Sequence, residues 1–77
     1  MNELLLYLAR ELVDDPEAVS VTEVETEDGV VLELRVAEGD VGRVIGRGGR
    51  TARALRTVVR AAAVRESRRA SVEIVSA

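Results

Sequence analysis

VGRVIGRGGRTARALR, residues 41–56, decides how the rest of this chain is read. Val41, Val44 and Ile45 keep helical spacing over about two turns, and glycines at 46, 48 and 49 then stop the helix. From about Arg50 to Ser67 the spacing resumes, with Ala52, Leu55, Val58, Val59 and Ala62 along one stripe. Arg53, Arg56 and Arg60, flanked by Arg50, lie along the opposite stripe. At about 100° per residue this is a helix with one apolar and one cationic face.

Upstream, Val30 to Val36 alternates cleanly, with Val30, Leu32, Leu34 and Val36 inward and Glu33 and Arg35 outward. Asp28-Gly29 before it reads as a tight hairpin turn. Ser20 to Glu27 reads as the partner strand, with Thr22, Val24 and Thr26 on one side and Glu23, Glu25 and Glu27 on the other. Further back, Leu4, Leu5, Leu8, Ala9 and Leu12 follow helical spacing from Asn2, a capping residue, to Val13, where Asp14-Asp15-Pro16 ends the run. Downstream, Ser71 to Val75 reads as a closing strand with Val72 and Ile74 inward. The order is α-β-β-α-α-β. Strands with one apolar face each predict a two-layer α+β sandwich, a three-stranded sheet covered by helices on one face only. The bare face is expected to carry Glu23, Glu25, Glu33 and Glu73. The hairpin strands must be antiparallel, and the helical connection to the last strand is long enough for a parallel crossover.

The 77 residues suffice for one small domain, 1–77. There is no cysteine and no histidine, which removes disulfides, thiolate and imidazole catalysis and the usual zinc ligand sets. That predicts no enzyme, cofactor, metal site or catalytic residue; Thr51, Ser67 and Ser71 have no base partner to make them nucleophiles. Tyr7 is the only aromatic residue, on the polar side of its helix, so recognition by several stacked aromatics is excluded. No apolar run is long enough for a membrane span, no signal peptide is visible, and a cytoplasmic protein is expected.

The net charge of −3 conceals a polar distribution. Met1 to Gly42 holds twelve acids against two arginines, whereas Arg43 to Arg69 holds nine arginines against Glu66 alone. One contiguous block is therefore as basic as a polyanion-binding segment, set in an acidic body. Every basic residue is arginine, which suits bidentate phosphate contacts and also follows from a GC-rich coding bias. The glycines do not match a Walker A loop, which needs G-x-x-x-x-G-K-[ST], nor a dinucleotide fingerprint, which needs a strand before G-x-G-x-x-G. What they offer is a backbone free of Cβ atoms at the amino end of a helix, where unpaired N–H groups and the dipole favour anions, with Arg47 and Arg50 adding charge.

Val44-Ile45-Gly46-Arg47-Gly48-Gly49-Arg50 thus places G-x-x-G between two helices, and in that setting it resembles the K-homology (KH) RNA-binding domain. The element order resembles the type II KH arrangement. The whole chain, with its Leu-rich first helix, is similar to the small bacterial KhpA family. Arginine stands where lysine is common in such loops, and Gly48 is a third glycine at a variable position. The resemblance implies a clamp on about four nucleotides of single-stranded RNA, held between the loop with its helices and the second strand. The residues it marks are Arg43, Val44, Ile45, Gly46, Arg47, Gly48, Gly49, Arg50 and Arg53, with Leu34 and Val36 as further aliphatic floor. It also implies a post-transcriptional regulator or RNA chaperone that forms a homodimer or pairs with a larger RNA-binding protein. A first helix with Leu4 at one edge of its apolar band and Leu6 and Val13 at the other agrees with a partner. Blander readings stand beside these: a plain helix–helix turn at the glycines, a solvated arginine face, and Val44 and Ile45 as core. The alternative function is a small protein-interaction or dimerisation module whose arginines meet an acidic protein.

Overall fold

The computed structural model describes residues 1–77, in the order α1 (Asn2–Leu12), β1 (Ser20–Thr26), β2 (Gly29–Val36), α2 (Val41–Ile45), α3 (Arg50–Arg65) and β3 (Ala70–Ser76). Short 3-10 turns at Pro16–Ala18 and Glu38–Asp40 lead into β1 and α2. The sheet order is β1-β2-β3, with β1 antiparallel and β3 parallel to the central β2. This is the expected α+β fold with a three-stranded mixed sheet and three helices.

The core forms where the alternating strand meets the helical stripes. Val30, Leu32, Leu34 and Val36 of β2 pack with Leu5 and Ala9 of α1, Val44 of α2, Leu55 and Val59 of α3 and Val72 of β3. The buried row of α3 is Ala52, Leu55, Val59 and Ala63. Val58, expected in that row, is 38% exposed, as are Leu12 at 38% and Leu4 at 39%. The apolar bands of α1 and α3 therefore continue past the core onto the surface.

Three local readings change. Asn2 is the first residue of α1 rather than its cap, and its Nδ2 donates to Glu23 Oε2 at 3.2 Å. The hairpin turns on Glu27 and Asp28, since Thr26 pairs with Gly29. A two-residue turn puts directly opposed positions on the same face. Glu23 lies opposite Leu32 and Glu25 opposite Val30, so both acids sit on the helix side of β1, while Thr22 and Val24 share the bare face with Glu33 and Val31. The expectation of a bare face bearing all four glutamates is thus corrected: Glu33 and Glu73 pair there, but Glu23 and Glu25 do not. Glu23 is occupied on the covered side by Asn2 and by Arg68, whose Nη2 lies 2.7 Å from its Oε1.

Asp40 pins the helical layer. The residue is 3% exposed, and its carboxylate accepts the amides of Asp14 and Asp15, each at 3.1 Å. The bend after α1 is thereby fastened to the start of α2 by two charge-assisted hydrogen bonds from loop amides.

Candidate nucleic-acid interface

At the end of α2 the chain enters Gly46 with φ 74° and ψ 168°, a region that glycine alone occupies comfortably. A Cβ there would collide with the Thr51 hydroxyl and come within 2.8 Å of Thr51 Cβ and 3.0 Å of its amide nitrogen. Gly48 (φ 64°, ψ 17°) and Gly49 (φ 76°, ψ 13°) are left-handed. The Gly46 amide donates to Gly42 O at 2.9 Å and the Gly49 amide to Gly46 O at 3.0 Å, which reverses the chain inside the Gly46–Gly49 segment. The first turn of α3 then begins with no side-chain cap. The Arg50 amide closes back on Arg47 O, and the first turn of α3 follows directly on Gly48 and Gly49, where a Cβ would meet no atom within 4 Å. An anion can therefore approach the bare backbone at the positive end of a helix.

The arginines divide by whether an acid already holds them. Arg43 is held: its Nη2 lies 2.8 Å from Asp14 Oδ2 and its Nε 3.3 Å from Asp40 Oδ1. Arg56 turns inward and donates from Nε to Val72 O at 3.4 Å. Arg47, Arg50 and Arg53 are exposed and have no ion-pair partner, so the turn and the first turn of α3 carry uncompensated positive charge.

The apolar residues divide as well. Ile45 is 39% exposed next to the turn, whereas Val44 has no exposed surface and anchors α2 from beneath. Leu34 and Val36 are likewise fully buried under the helices, and so offer no floor to a base. Asp40 and Thr51 are positions whose part in the site the sequence does not announce. Each carries a faint signal: an acid immediately before a short helix, and a small β-branched hydroxyl residue set just after the glycines it packs against.

Comparison with known proteins identifies the family. The family described as "KhpA/KhpB, KH domain" matches residues 2–74. The RNA-binding protein KhpA of Clostridium acetobutylicum is 52% identical over 75 residues, covering 97% of this chain and 100% of the relative. That of Clostridium perfringens is 51% identical with the same coverage, and that of Caldanaerobacter subterraneus subsp. tengcongensis 48%. A match over nearly every residue, on a fold whose two helices meet at a G-x-x-G turn, places this chain in the KhpA/KhpB family of KH domains.

Proposed function

We propose that this chain, acting as a single KH domain over residues 1–77, binds single-stranded RNA and holds it without transforming it. The backbone of Gly46 to Gly49 and the first amides of α3 receive a phosphate, Arg47, Arg50 and Arg53 add charge around it, and Ile45 offers an aliphatic contact to a neighbouring base. Arg43 and Val44 serve the same site indirectly, by fixing α2. The observation that carries this reading is the conjunction of a Cβ-free, left-handed turn with arginines that no acid neutralises. The relatives' name, RNA-binding protein, supports it. With no histidine or cysteine in the sequence, the reading requires no catalytic residue. A role in the cytoplasm, as regulator or chaperone of RNA, follows from the same reading; no helix of the chain is long and apolar enough to cross a membrane.

The test is the double substitution Arg47→Asp/Gly48→Asp, with Arg47→Asn/Gly48→Asn as a neutral counterpart, titrated with single-stranded RNA at fixed salt. Gly48 is left-handed, a conformation that costs most residues about 1–2 kcal/mol and that Asp and Asn tolerate best, so both variants should keep the wild-type circular dichroism. The aspartate pair should lose on the order of 100-fold in affinity, equivalent to about 2.7 kcal/mol, and the asparagine pair markedly less. Unchanged affinity in the folded aspartate variant would overturn the site and favour the protein-interaction reading.

We further propose that the domain works with a partner, a second copy or a larger RNA-binding protein, because a single module gripping a few nucleotides gains most from multivalency. The surface that supports this is the exposed apolar strip between α1 and α3. Leu4, Leu12 and Val58 border two hollows there, of about 460 and 270 Å³. Val58→Asp should abolish self-association in sedimentation while the isolated domain keeps its affinity for a short RNA; association that survives the substitution would place the contact elsewhere.

A further inference from the structure

The far end of α3 carries a second cationic site. Arg60 and Val64 on the last turns of α3 face Arg68, Arg69 and Ala70 across a groove of about 340 Å³. The groove owes its shape to the way α3 ends. The Arg68 amide donates to Ala63 O at 2.8 Å and the Ser67 amide to Val64 O at 3.0 Å, with Ser67 left-handed at φ 57°. This closure swings Arg68 and Arg69 back alongside the helix. The Arg69 carbonyl then accepts the Val30 amide at 2.9 Å, which locks the turn to β2.

Three arginines line this groove, and they are not equally compensated. Arg68 is tied to Glu23 at 2.7 Å and Glu25 at 3.5 Å. Arg60 and Arg69 have no acidic partner. Val64, at 73% the most exposed large apolar side chain in the molecule, forms the wall beside them. Arg60 also lies in line with the glycine turn. Seven residues separate it from Arg53, which at 3.6 residues per turn returns it to nearly the same side of α3, about 10 Å further along the axis. Arg53, Arg60 and the groove thus form a track that leaves the turn along one side of the helix.

We propose that Arg60, Arg68 and Arg69 form a second phosphate-binding groove, taking the sugar–phosphate backbone of the same RNA strand beyond the segment held at Gly46 to Gly49. This rests on the RNA-binding reading and adds a longer footprint to it. Val64 supplies an apolar surface for a ribose or base, and Glu23 and Glu25 set the strength of the site by competing for Arg68.

The experiment compares a uridine tetranucleotide with a uridine dodecanucleotide, on the wild type and on Arg60→Gln/Arg69→Gln. Neither side chain makes an ion pair in the fold, so the variant should fold as the wild type does. It should hold the tetranucleotide within about twofold, lose about tenfold on the dodecanucleotide, and bind the latter with a salt slope shallower by about 1.4, at ~0.7 per lost phosphate contact on a single strand. Glu23→Gln/Glu25→Gln, which frees Arg68, should tighten the dodecanucleotide about threefold more than the equally charged change Glu17→Gln/Glu38→Gln. If the arginine variant weakens both oligonucleotides alike, or neither, the groove is overturned while the assignment of the glycine turn stands. If the wild type binds neither oligonucleotide, the RNA reading itself fails, and the groove with it.

Discussion

Helix α3 is entered and left through two turns that reverse the chain, and both lie among arginines. At the entry, Gly46, Gly48 and Gly49 all have positive φ, no side chain caps the helix, and Arg47 and Arg50 stand unpaired. At the exit, Ser67 is left-handed in place of a glycine, the freed carbonyls of Ala63 and Val64 are taken up by the amides of Glu66, Ser67 and Arg68, and Arg68 is clasped by Glu23. Both turns close backbone hydrogen bonds of their own, but the entry leaves its glycine backbone uncovered by side chains, while the exit carries a side chain at every residue from Glu66 to Arg69. On the proposed reading, main-chain contact with a phosphate falls to the first turn and guanidinium contact to the second.

The comparison breaks most readily at Gly46. Gly46→Ala combines a backbone region that costs roughly 1–3 kcal/mol for other residues with overpacking against Thr51 of similar size. A loss of about 3 kcal/mol is expected, which lowers the thermal midpoint by roughly 12–24 °C in a chain of this length. Gly48→Asn, in the left-handed region with open space around it, should cost about 1 kcal/mol or less. Thermal unfolding of the two side by side checks this. Equal losses would mean that the turn demands glycine at both positions for the same reason, and that Gly48 is not there to keep the backbone accessible.

The asymmetry between the turns also explains what can be read from the sequence. Three glycines interrupting a helical pattern announce the entry, and the alternation from Val30 to Val36 identifies the central strand, so the fold and the G-x-x-G turn are legible. The exit carries no glycine, because its one left-handed residue is a serine, and its acidic clasp spans more than forty positions of chain. The faces of β1 are hard to read for a related reason. In Ser20–Thr26 the acids and the Thr/Val positions both alternate, and solvent is the natural side for the acids. The two-residue turn overrides that preference, turning Glu23 and Glu25 toward the helices, where Arg68 and Asn2 meet them. Likewise Val44 and Ile45 are adjacent and equally apolar, and helical geometry alone decides that one is buried and the other exposed.

If the exit turn is structural scaffolding for its arginines, its strained residue can be relieved without loss of function. Ser67→Gly removes a left-handed penalty of about 1–2 kcal/mol and adds a glycine entropy cost of roughly 0.5–1 kcal/mol. A net gain of about 0.5 kcal/mol should appear as a small rise in the urea midpoint, with RNA affinity unchanged. A lower midpoint would show that the Ser67 side chain does something at this turn beyond adopting its conformation.

The smallest effect is expected at the acid that clasps the exit. Hydrogen bonds from Arg68 and then Asn2 stabilise the ionised carboxylate of Glu23 and hold its pKa below the ordinary glutamate value. The sign follows from linkage: a carboxylate whose pKa is depressed by folding contributes stability that is fully present above its unfolded pKa and disappears as the pH falls through its folded one. The side chain lies at the surface, where solvent screens such pairs, so the contribution is small. Wild type and Glu23→Gln should accordingly differ in urea midpoint at neutral pH, with the wild type higher, and should converge as the solution is acidified below the ordinary glutamate range. The convergence isolates the charge from the packing, since glutamine keeps the shape of the protonated acid. A difference that persists unchanged into strong acid would mean that Glu23 holds β1 to Asn2 and Arg68 by shape alone. The exit turn would then owe nothing to the acidic clasp that distinguishes it from the entry.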